Sequence, residues 1–307
     1  MLEQKSKMEK EMKKVMILCT AIILAFAGIF AGCEGEKVRT PRVLPEDFRY
    51  EVQSNQHSVN YTDSSEKEIS LYGMLWAPKA EGKFPAIILN HGFNGHYRDF
   101  PAECQAFAER GYVCYAYDFC GAQAGGLSTG RTASEYTPFT MKEDLRAAIA
   151  NVKGLENVDE TQIFLFGGSQ GGFVTGLTAA DDDVKEEVAA IAMYFPAFNI
   201  ADDWRGKPVQ NTSLMGYSIG AAFIQSVQEL YPFDVIGNYE KDVCIVWGDQ
   251  DALVRRQYID GAVEAYGEDR VELTVIPGAG HGFGGTALNT AVETVLAFFE
   301  ARTYEAI

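Results

Sequence analysis

Metal-binding motifs and clusters of basic residues are missing from most of this chain. No CxxC or Cys/His cluster of the kind that signals a zinc site occurs, and only four histidines stand among 307 residues. The net charge is −17, and beyond an N-terminal stretch lysine and arginine do not cluster. A chain this acidic is not expected to bind nucleic acid as its main partner. We therefore expect neither a metal nor a nucleic-acid partner.

The glycine-rich stretch FLFGGSQGGFV, residues 164–174, lacks what a nucleotide site needs. Phe173 follows the second glycine pair, where a phosphate loop requires lysine. Ser169 occupies the middle glycine position of a dinucleotide fingerprint. Neither loop is present, so no nucleotide cofactor is expected, and no other cofactor is predicted.

The N-terminus has the pattern of an export signal. Five lysines lie within residues 5–14, and eighteen residues without a charge precede Cys33. The ending FAGC resembles the bacterial lipobox, although lipobox patterns prefer Leu at the place of Phe30. The resemblance implies that residues 1–32 are a signal peptide, that Cys33 is lipidated, and that the domain is anchored to the membrane as an exported bacterial cell-envelope lipoprotein. An uncleaved membrane anchor and an internal helix are the alternatives.

Beyond the signal, the chain divides into a polar tether, residues 33–49, and one domain, residues 50–307. In the domain, apolar runs that suit buried strands alternate with helical patterns. This alternation predicts an α/β fold with a mostly parallel central sheet flanked by helices. Strands are predicted at about 68–78, 84–92, 112–119, 162–169, 187–197, 242–249 and 271–280, and a final helix at 286–302.

Three local features of this domain are also predicted. Thr140, with Glu143 three residues later, forms a capping box at the start of the helix MKEDLRAAIANV. The helix AECQAFAERGY ends at Gly111. Residues 198–237 are too long for a simple connection between two strands, and we interpret them as a small inserted lid.

Apart from Cys33, the exported part has four cysteines. An even number outside the cytoplasm permits disulfides. Two of the four lie inside apolar, strand-like runs, where a free cysteine behaves as a small hydrophobe. We therefore predict free thiols at Cys104, Cys114, Cys120 and Cys244.

Gly167-Gly168-Ser169-Gln170-Gly171 fits GxSxG, the nucleophile elbow. A tight turn from strand to helix forces the serine into strained backbone geometry, and neighbouring glycines remove the Cβ clashes. The following helix directs its N-terminal N–H groups at the serine. Ser169 is therefore the candidate nucleophile.

A serine nucleophile needs a base, and the base needs an orienting acid. His281 follows the last predicted strand, and the chain order Ser, acid, His favours it as the base. His57 is predicted to be a surface residue, and His91 a structural residue of the loop NHGFNGH. Asp251 is better placed than Asp249 to reach His281, although the reverse assignment stays open.

The oxyanion hole of such an enzyme combines two backbone N–H groups. Gln170, the residue after the nucleophile, supplies the first. The loop HGFNG, residues 91–95, supplies the second, and Phe93 is its candidate donor.

Across residues 65–303 the chain resembles the α/β-hydrolases, with an HGF loop, a GxSxG elbow, GDQD and GHGF in order. Within that superfamily it is similar to the bacterial cinnamoyl/feruloyl esterases, which share the SQGG elbow and the GDQDxxV acid motif. The resemblance implies that Ser169, Asp251 and His281 form a triad with Phe93 and Gln170 as oxyanion donors.

The resemblance further implies hydrolysis of short-acyl or hydroxycinnamoyl esters, including esters derived from plant polysaccharide, through an acyl-enzyme. Aromatic lid residues, Trp204, Tyr217 and Phe223, are candidates for the acyl pocket, although they would equally suit the lid's own small core. Two departures from the feruloyl-esterase pattern leave the identity of the acyl group open. Gly168 stands where these esterases often have His, and the lid residues match only loosely.

Three alternatives remain. A serine peptidase of the aminopeptidase type shares the triad chemistry and the fold. A dienelactone-type hydrolase would prefer Cys to Ser169. A non-catalytic binding lipoprotein would keep the fold without needing all five parts of the site.

Overall fold

An eight-stranded sheet forms the centre of residues 39–306, the part of the chain that the computed structural model describes. In chain order the strands are β1 (Val52–Thr62), β2 (Glu68–Pro78), β3 (Phe84–Asn90), β4 (Val113–Tyr117), β5 (Val158–Gly168), β6 (Val188–Tyr194), β7 (Thr212–Leu214), β8 (Tyr217–Ile219), β9 (Val243–Gly248) and β10 (Val271–Ile276). Across the sheet they run β1-β2-β4-β3-β5-β6-β9-β10, while β7 and β8 form a separate hairpin. All neighbours from β4 to β10 are parallel, which confirms the predicted α/β class.

Helices fill the connections between the strands. They are α1 (Pro101–Glu109), α2 (Pro138–Lys153), α3 (Gln170–Ala179), α4 (Ile200–Trp204), α5 (Ala221–Gln228), α6 (Pro232–Ile236), α7 (Arg256–Tyr266) and α8 (Thr286–Glu300). Every residue of β3, β4 and β9 is buried, because helices cover both faces of these parallel strands. The interval 198–237 contains α4, β7, β8, α5 and α6, so the predicted lid has regular structure of its own.

The first strand was not predicted from the sequence. β1 pairs antiparallel with β2 along its whole length, from Val52 opposite Pro78 to Thr62 opposite Glu68. Its sequence, VQSNQHSVNYT, is mostly polar, because the strand lies at the sheet edge with most of its side chains exposed. Polar side chains on an exposed edge discourage pairing with other chains, and they also remove the apolar alternation by which strands are recognised.

The predicted capping box is shifted by three residues. The hydroxyl of Thr137 accepts from the N–H of Thr140 at 3.2 Å, and the hydroxyl of Thr140 accepts from the N–H of Thr137 at 2.8 Å. α2 therefore begins at Pro138, whose fixed φ suits the first helical position. Glu143 contacts Arg131 at 2.9 Å instead of capping the helix.

The described part of the predicted tether lies against the domain. The guanidinium of Arg42 donates to the carbonyls of Gly111 and Arg110 at 2.9 and 3.0 Å. Arg110 in turn donates to the carbonyls of Pro45 and Phe48 at 2.7 and 2.9 Å. These bonds fix a strap, residues 41–48, on the domain surface, so this part of the chain is not a free linker.

The predicted signal peptide, residues 1–32, and Cys33 lie outside the described residues. Within residues 39–306, no helix combines the length and apolar character needed to cross a bilayer. The four predicted free thiols are confirmed: Cys104, Cys114, Cys120 and Cys244 are free and buried. Gly111 follows α1 with a φ of +83°, as predicted for the residue that ends this helix.

Candidate active site

Ser169 stands on a sharp turn between β5 and α3. Its φ is +52° and its ψ −118°, a conformation that costs free energy for any residue with a side chain. The glycines around it are required by close backbone approach, since a Cβ at Gly171 would lie 2.0 Å from the carbonyl oxygen of Asn90. Two backbone hydrogen bonds hold the turn. The N–H of Ser169 donates to the carbonyl of Tyr194 at 2.9 Å, and the carbonyl of Ser169 accepts from the N–H of Ala197 at 3.0 Å.

Three side chains from three strand ends meet at this turn. Nε2 of His281, which follows β10, lies 2.9 Å from Oγ of Ser169. Nδ1 of His281 lies 2.8 Å from Oδ2 of Asp251, which follows β9. Since the carboxylate can only accept, Nδ1 carries the proton and Nε2 presents its lone pair to the serine hydroxyl. The carboxyl ends of parallel strands share one sheet edge, and the site forms there.

The carboxylate of Asp251 is buried and fixed by the backbone. Its second oxygen, Oδ1, accepts from the N–H groups of Leu253 and Val254 at 2.8 and 2.9 Å. Three donors thus occupy three of the roughly four lone-pair directions of this buried carboxylate, so the group has little freedom to turn away from His281. The side chain of Asp251 is 0% exposed and that of His281 is 18% exposed, which leaves one face of the imidazole open to a ligand.

The other histidines have different partners. His91 is buried: the N–H of Phe119 donates to its Nε2 at 3.0 Å, and its Nδ1 donates to the carbonyl of Gly92 at 2.8 Å. Burial lowers its pKa, which keeps the ring neutral as this bonding requires. His91 therefore shapes the loop at the end of β3, as predicted. The prediction for His57 is wrong, because this residue is half-buried in β1 with Nε2 2.6 Å from Oδ1 of Asn151.

The two predicted oxyanion donors border the same space. A Cβ at Gly92 would lie 3.3 Å from Cβ of Ser169, so the loop after β3 runs directly beside the elbow. Phe93 and Gln170 both line the cavity in front of Ser169. Within the described part of the chain, neither backbone N–H donates a hydrogen bond. These two N–H groups therefore have no protein acceptor among the described residues beside the cavity, and the amino end of α3 adds a favourable field for negative charge.

The cavity in front of Ser169 is apolar and has a volume of about 430 Å³. Its walls come from the elements around the elbow and from the lid: Phe93, Phe100, Phe195, Ile200, Trp204, Leu214, Met215, Ile219, Phe223, Leu253 and Val254. Apart from His281, its charged lining residues in the described chain are two exposed carboxylates, Asp99 and Asp203. Such a cavity suits an apolar acyl group and disfavours an anionic one.

Of the three predicted lid aromatics, two line this cavity. Trp204 and Phe223 are in its wall. Tyr217 is placed behind the wall, in contrast to the sequence-based expectation. Its hydroxyl donates to the carbonyl of Gly121 at 2.7 Å, and its ring lies 6.0 Å from that of Phe93.

Two aromatic side chains beside Ser169 and His281 were not predicted from the sequence. The ring of Phe195 lies 4.5 Å from the imidazole of His281, and Phe100 lies against Gly168, where a Cβ would be 2.9 Å from its Cζ. Phe195 directly follows β6, at the same edge of the sheet as Ser169, and this position was the signal that the sequence offered. Its contact with His281 depends on strand order, which the sequence does not state.

Known proteins match parts of this chain. The profile of the family Hydrolase_4, described as "Serine aminopeptidase, S33", matches residues 83–225, a span that includes Ser169 and ends before Asp251. The quorum-quenching protein AidA of Acinetobacter baumannii is 29% identical over 161 residues, 51% of this chain and 50% of the relative. YcjY of Escherichia coli is 30% identical over 154 residues, 48% of each chain. The chain thus spans about half the length of these curated relatives.

Two solved structures match over nearly their whole length. Est1E from Butyrivibrio proteoclasticus, with ferulic acid bound, is 26% identical with a TM-score of 0.69, covering 79% of this chain and 98% of that chain. The α/β hydrolase GrgF from Penicillium sp. sh18 is 20% identical with a TM-score of 0.67, covering 81% of this chain and 99% of that chain. This chain has the α/β-hydrolase fold. In this chain the turn after β5 and the loops after β9 and β10 meet at one edge of the sheet.

Proposed function

We propose that this protein is a serine hydrolase that cleaves carboxylic esters through an acyl-enzyme. The observation that carries the proposal is the unbroken chain of contacts from Ser169 through His281 to Asp251, at 2.9 and 2.8 Å, at the wall of an apolar cavity. Similarity to hydrolases and esterases of the same fold supports the reaction class.

In the proposed acylation, Oγ of Ser169 attacks the ester carbonyl carbon while Nε2 of His281 takes the hydroxyl proton. The carbonyl π electrons move to oxygen, and the N–H groups of Phe93 and Gln170 donate to this oxyanion. Each donor of this kind typically contributes ~10²–10³ in rate. The intermediate then collapses, the C–O bond to the alcohol breaks, and the proton on Nε2 passes to the leaving oxygen.

Deacylation reverses these roles with water as nucleophile. Nε2 of His281 takes a proton from water, the oxygen attacks the acyl carbon, and the C–O bond to Ser169 breaks as the serine regains its proton. Asp251 keeps Nδ1 protonated throughout and stabilises the imidazolium formed in each step. The products are one carboxylic acid and one alcohol, and no cofactor enters the balance.

The lining of the cavity supports neutral, apolar acyl groups as substrates. The walls include Phe100, Trp204 and Phe223, which suit an alkyl or aromatic acyl chain. The nearby carboxylates of Asp99 and Asp203 oppose an acyl group that carries its own negative charge. This argues against the carboxylate-bearing dienelactones. The hydroxycinnamoyl group is a candidate because ferulic acid is bound in the similar structure of Est1E.

A peptidase is the second candidate, because the family profile matched over residues 83–225 is described as a serine aminopeptidase. The carboxylates of Asp99 and Asp203 would accept the ammonium group of an aminoacyl substrate. A peptidase should therefore cleave alanine p-nitroanilide, whereas an esterase should leave this amide intact and cleave p-nitrophenyl butyrate, which releases a p-nitrophenyl leaving group from an oxygen ester.

The experiment compares four substrates in wild type and in Ser169→Ala: methyl ferulate, p-nitrophenyl butyrate, p-nitrophenyl succinate and alanine p-nitroanilide. We expect serine-dependent cleavage of methyl ferulate and the butyrate, with kcat lowered about 10⁴-fold or more in the variant. The succinate has the same chain length but is anionic, so its kcat/KM should be at most about one tenth of that of the butyrate. Serine-dependent cleavage of the anilide would favour the peptidase. Turnover that Ser169→Ala leaves intact would refute the serine mechanism.

A further inference from the structure

One short segment, residues 194–197, contacts the backbone of Ser169 and the side chain of His281. On one side, the carbonyl of Tyr194 accepts from the N–H of Ser169 at 2.9 Å, and the N–H of Ala197 donates to the carbonyl of Ser169 at 3.0 Å. On the other side, the ring of Phe195 lies 4.5 Å from the imidazole of His281. The segment thus joins the nucleophile's backbone to the base's side chain.

The backbone of Phe195 is strained, and its neighbours hold it in that state. Its φ is +35°, a region that an aromatic residue rarely adopts and that costs free energy. The N–H of Phe195 donates to the carbonyl of Val246 in β9 at 2.8 Å, which fixes the peptide to the sheet. A relaxed φ would turn the side chain away from His281. The strained backbone conformation of Phe195 therefore directs its ring toward His281.

We propose that Phe195 is a positioning residue for His281. The two rings are inclined at 52°, and Phe195 also packs against Phe283 at 4.9 Å, two residues after the histidine. These contacts limit rotation of the imidazole and so keep Nε2 within hydrogen-bonding reach of Ser169. The inference rests on the proposed function, because it assigns to Phe195 a part in the same triad.

A positioning role differs from a purely substrate-binding role in what it changes. Phe195 also lines the cavity, so its loss could act on the acyl group alone and raise KM. Loss of orientation acts on proton transfer and lowers kcat for every substrate; misplacement by about 1 Å can cost about 10²-fold. Phe100 is the matched control, since it lines the same cavity and its ring contact is with Phe166, at 5.0 Å.

The test measures kcat and KM for p-nitrophenyl acetate and the rate of labelling by a small fluorophosphonate, in Phe195→Leu, Phe195→Tyr and Phe100→Leu. We expect Phe195→Leu to lower kcat and the labelling rate about 10–100-fold with KM changed less than about threefold. Phe195→Tyr, which keeps the ring, should recover most of both rates, and Phe100→Leu should act mainly on KM.

Three results would overturn the proposal: a Phe195→Leu variant with wild-type kcat and labelling, one with only a raised KM, or a Phe195→Tyr variant as slow as Phe195→Leu. If Phe195→Leu fails to unfold cooperatively on heating, Phe195→Met, closer in length to Phe, replaces it. Failure of the proposed function is a separate outcome, since wild type and Ser169→Ala would then turn over substrate equally.

Discussion

Asp249 and Asp251 lie two residues apart after β9, and their carboxylates bind different partners. Oδ2 of Asp251 lies 2.8 Å from Nδ1 of His281, whereas Oδ1 of Asp249 accepts from the N–H of Gly278 at 2.7 Å. Asp251 is buried, and Asp249 is exposed. One carboxylate therefore orients the candidate base, and the other closes the turn after β10 that leads to it.

The first prediction concerns this pair. Asp251→Asn should lower kcat about 10⁴-fold, because an amide can donate to Nδ1 and so favour the wrong imidazole tautomer. Asp249→Asn keeps an acceptor oxygen for Gly278 and should keep kcat within about threefold while losing about 1 kcal/mol of stability. Initial rates with p-nitrophenyl butyrate and urea unfolding of both variants check this. Equal losses of activity would exclude Asp251 as the sole acid.

The second prediction concerns Gly168, where similar esterases often have His. A Cβ at this position would lie 2.9 Å from Cζ of Phe100, so Gly168→Ala must shift that ring, which lines the cavity. We expect KM for methyl ferulate to rise about 3–10-fold, with a smaller effect on p-nitrophenyl acetate, whose shorter acyl group would contact the ring less. Steady-state kinetics with the two esters measure the difference. A similar loss on both would mean that the displacement reaches Ser169.

The third prediction concerns Glu103, which is buried in the first turn of α1. Burial raises its pKa from 4.5 to about 7. Because the folded state binds the proton more tightly than the unfolded state, the stability from this group is complete below pH 4.5 and is lost as the pH rises through 7. Glu103→Gln removes this dependence. Relative to wild type, the free energy of unfolding of Glu103→Gln should therefore rise by about 3 kcal/mol between pH 4.5 and pH 8.

Urea unfolding of both proteins at pH 4.5, 6 and 8 provides the measurement. The control position is Glu109, which lies at the last turn of the same helix and is partly exposed. The difference in free energy of unfolding between Glu109→Gln and wild type should not change comparably with pH. A constant difference between wild type and Glu103→Gln across this range would contradict the buried, protonated state of the carboxyl group.

The fourth prediction concerns Arg131, whose side chain is only 2% exposed. It donates to Asp144 at 2.6 Å and to Asp63 at 3.0 Å, and both carboxylates are buried with it. Arg131→Ala leaves both without their cation and should cost about 3–5 kcal/mol. Arg256→Ala, which breaks an exposed pair with Asp260 at 2.6 Å, should cost less than about 1 kcal/mol. Urea unfolding at pH 7 compares them, and similar costs would refute the argument from burial.

Much of the fold follows from local patterns in the sequence. The buried strands β3, β4 and β9 are continuous apolar runs, and the elbow around Ser169 is marked by its glycines, so both were predictable. That Ser169, Asp251 and His281 lie near one another follows from the rule that parallel strands end at one sheet edge. The choice of Asp251 over Asp249 depended further on the reach of each turn.

The features that were missed or misplaced depend on tertiary contacts. β1 is polar because it is an edge strand, so it lacks the pattern by which strands are found. Tyr217 is aromatic like its neighbours in the lid, but the hairpin turns it toward Gly121. Phe195 follows β6 and His281 follows β10, and the strand order β6-β9-β10 brings them together although 86 residues separate them in the sequence.

The strap has a consequence for attaching the protein to other materials. Arg42 pairs with Thr303, and the next residue, Tyr304, donates from its N–H to the side chain of Gln162 at 2.7 Å. Gln162 precedes Ser169 by seven residues on β5, which at ~3.3 Å per residue is roughly 23 Å. The strap therefore begins, at residue 41, far from the nucleophile and near the opposite ends of the strands. Immobilisation through this point should leave the mouth of the cavity unobstructed.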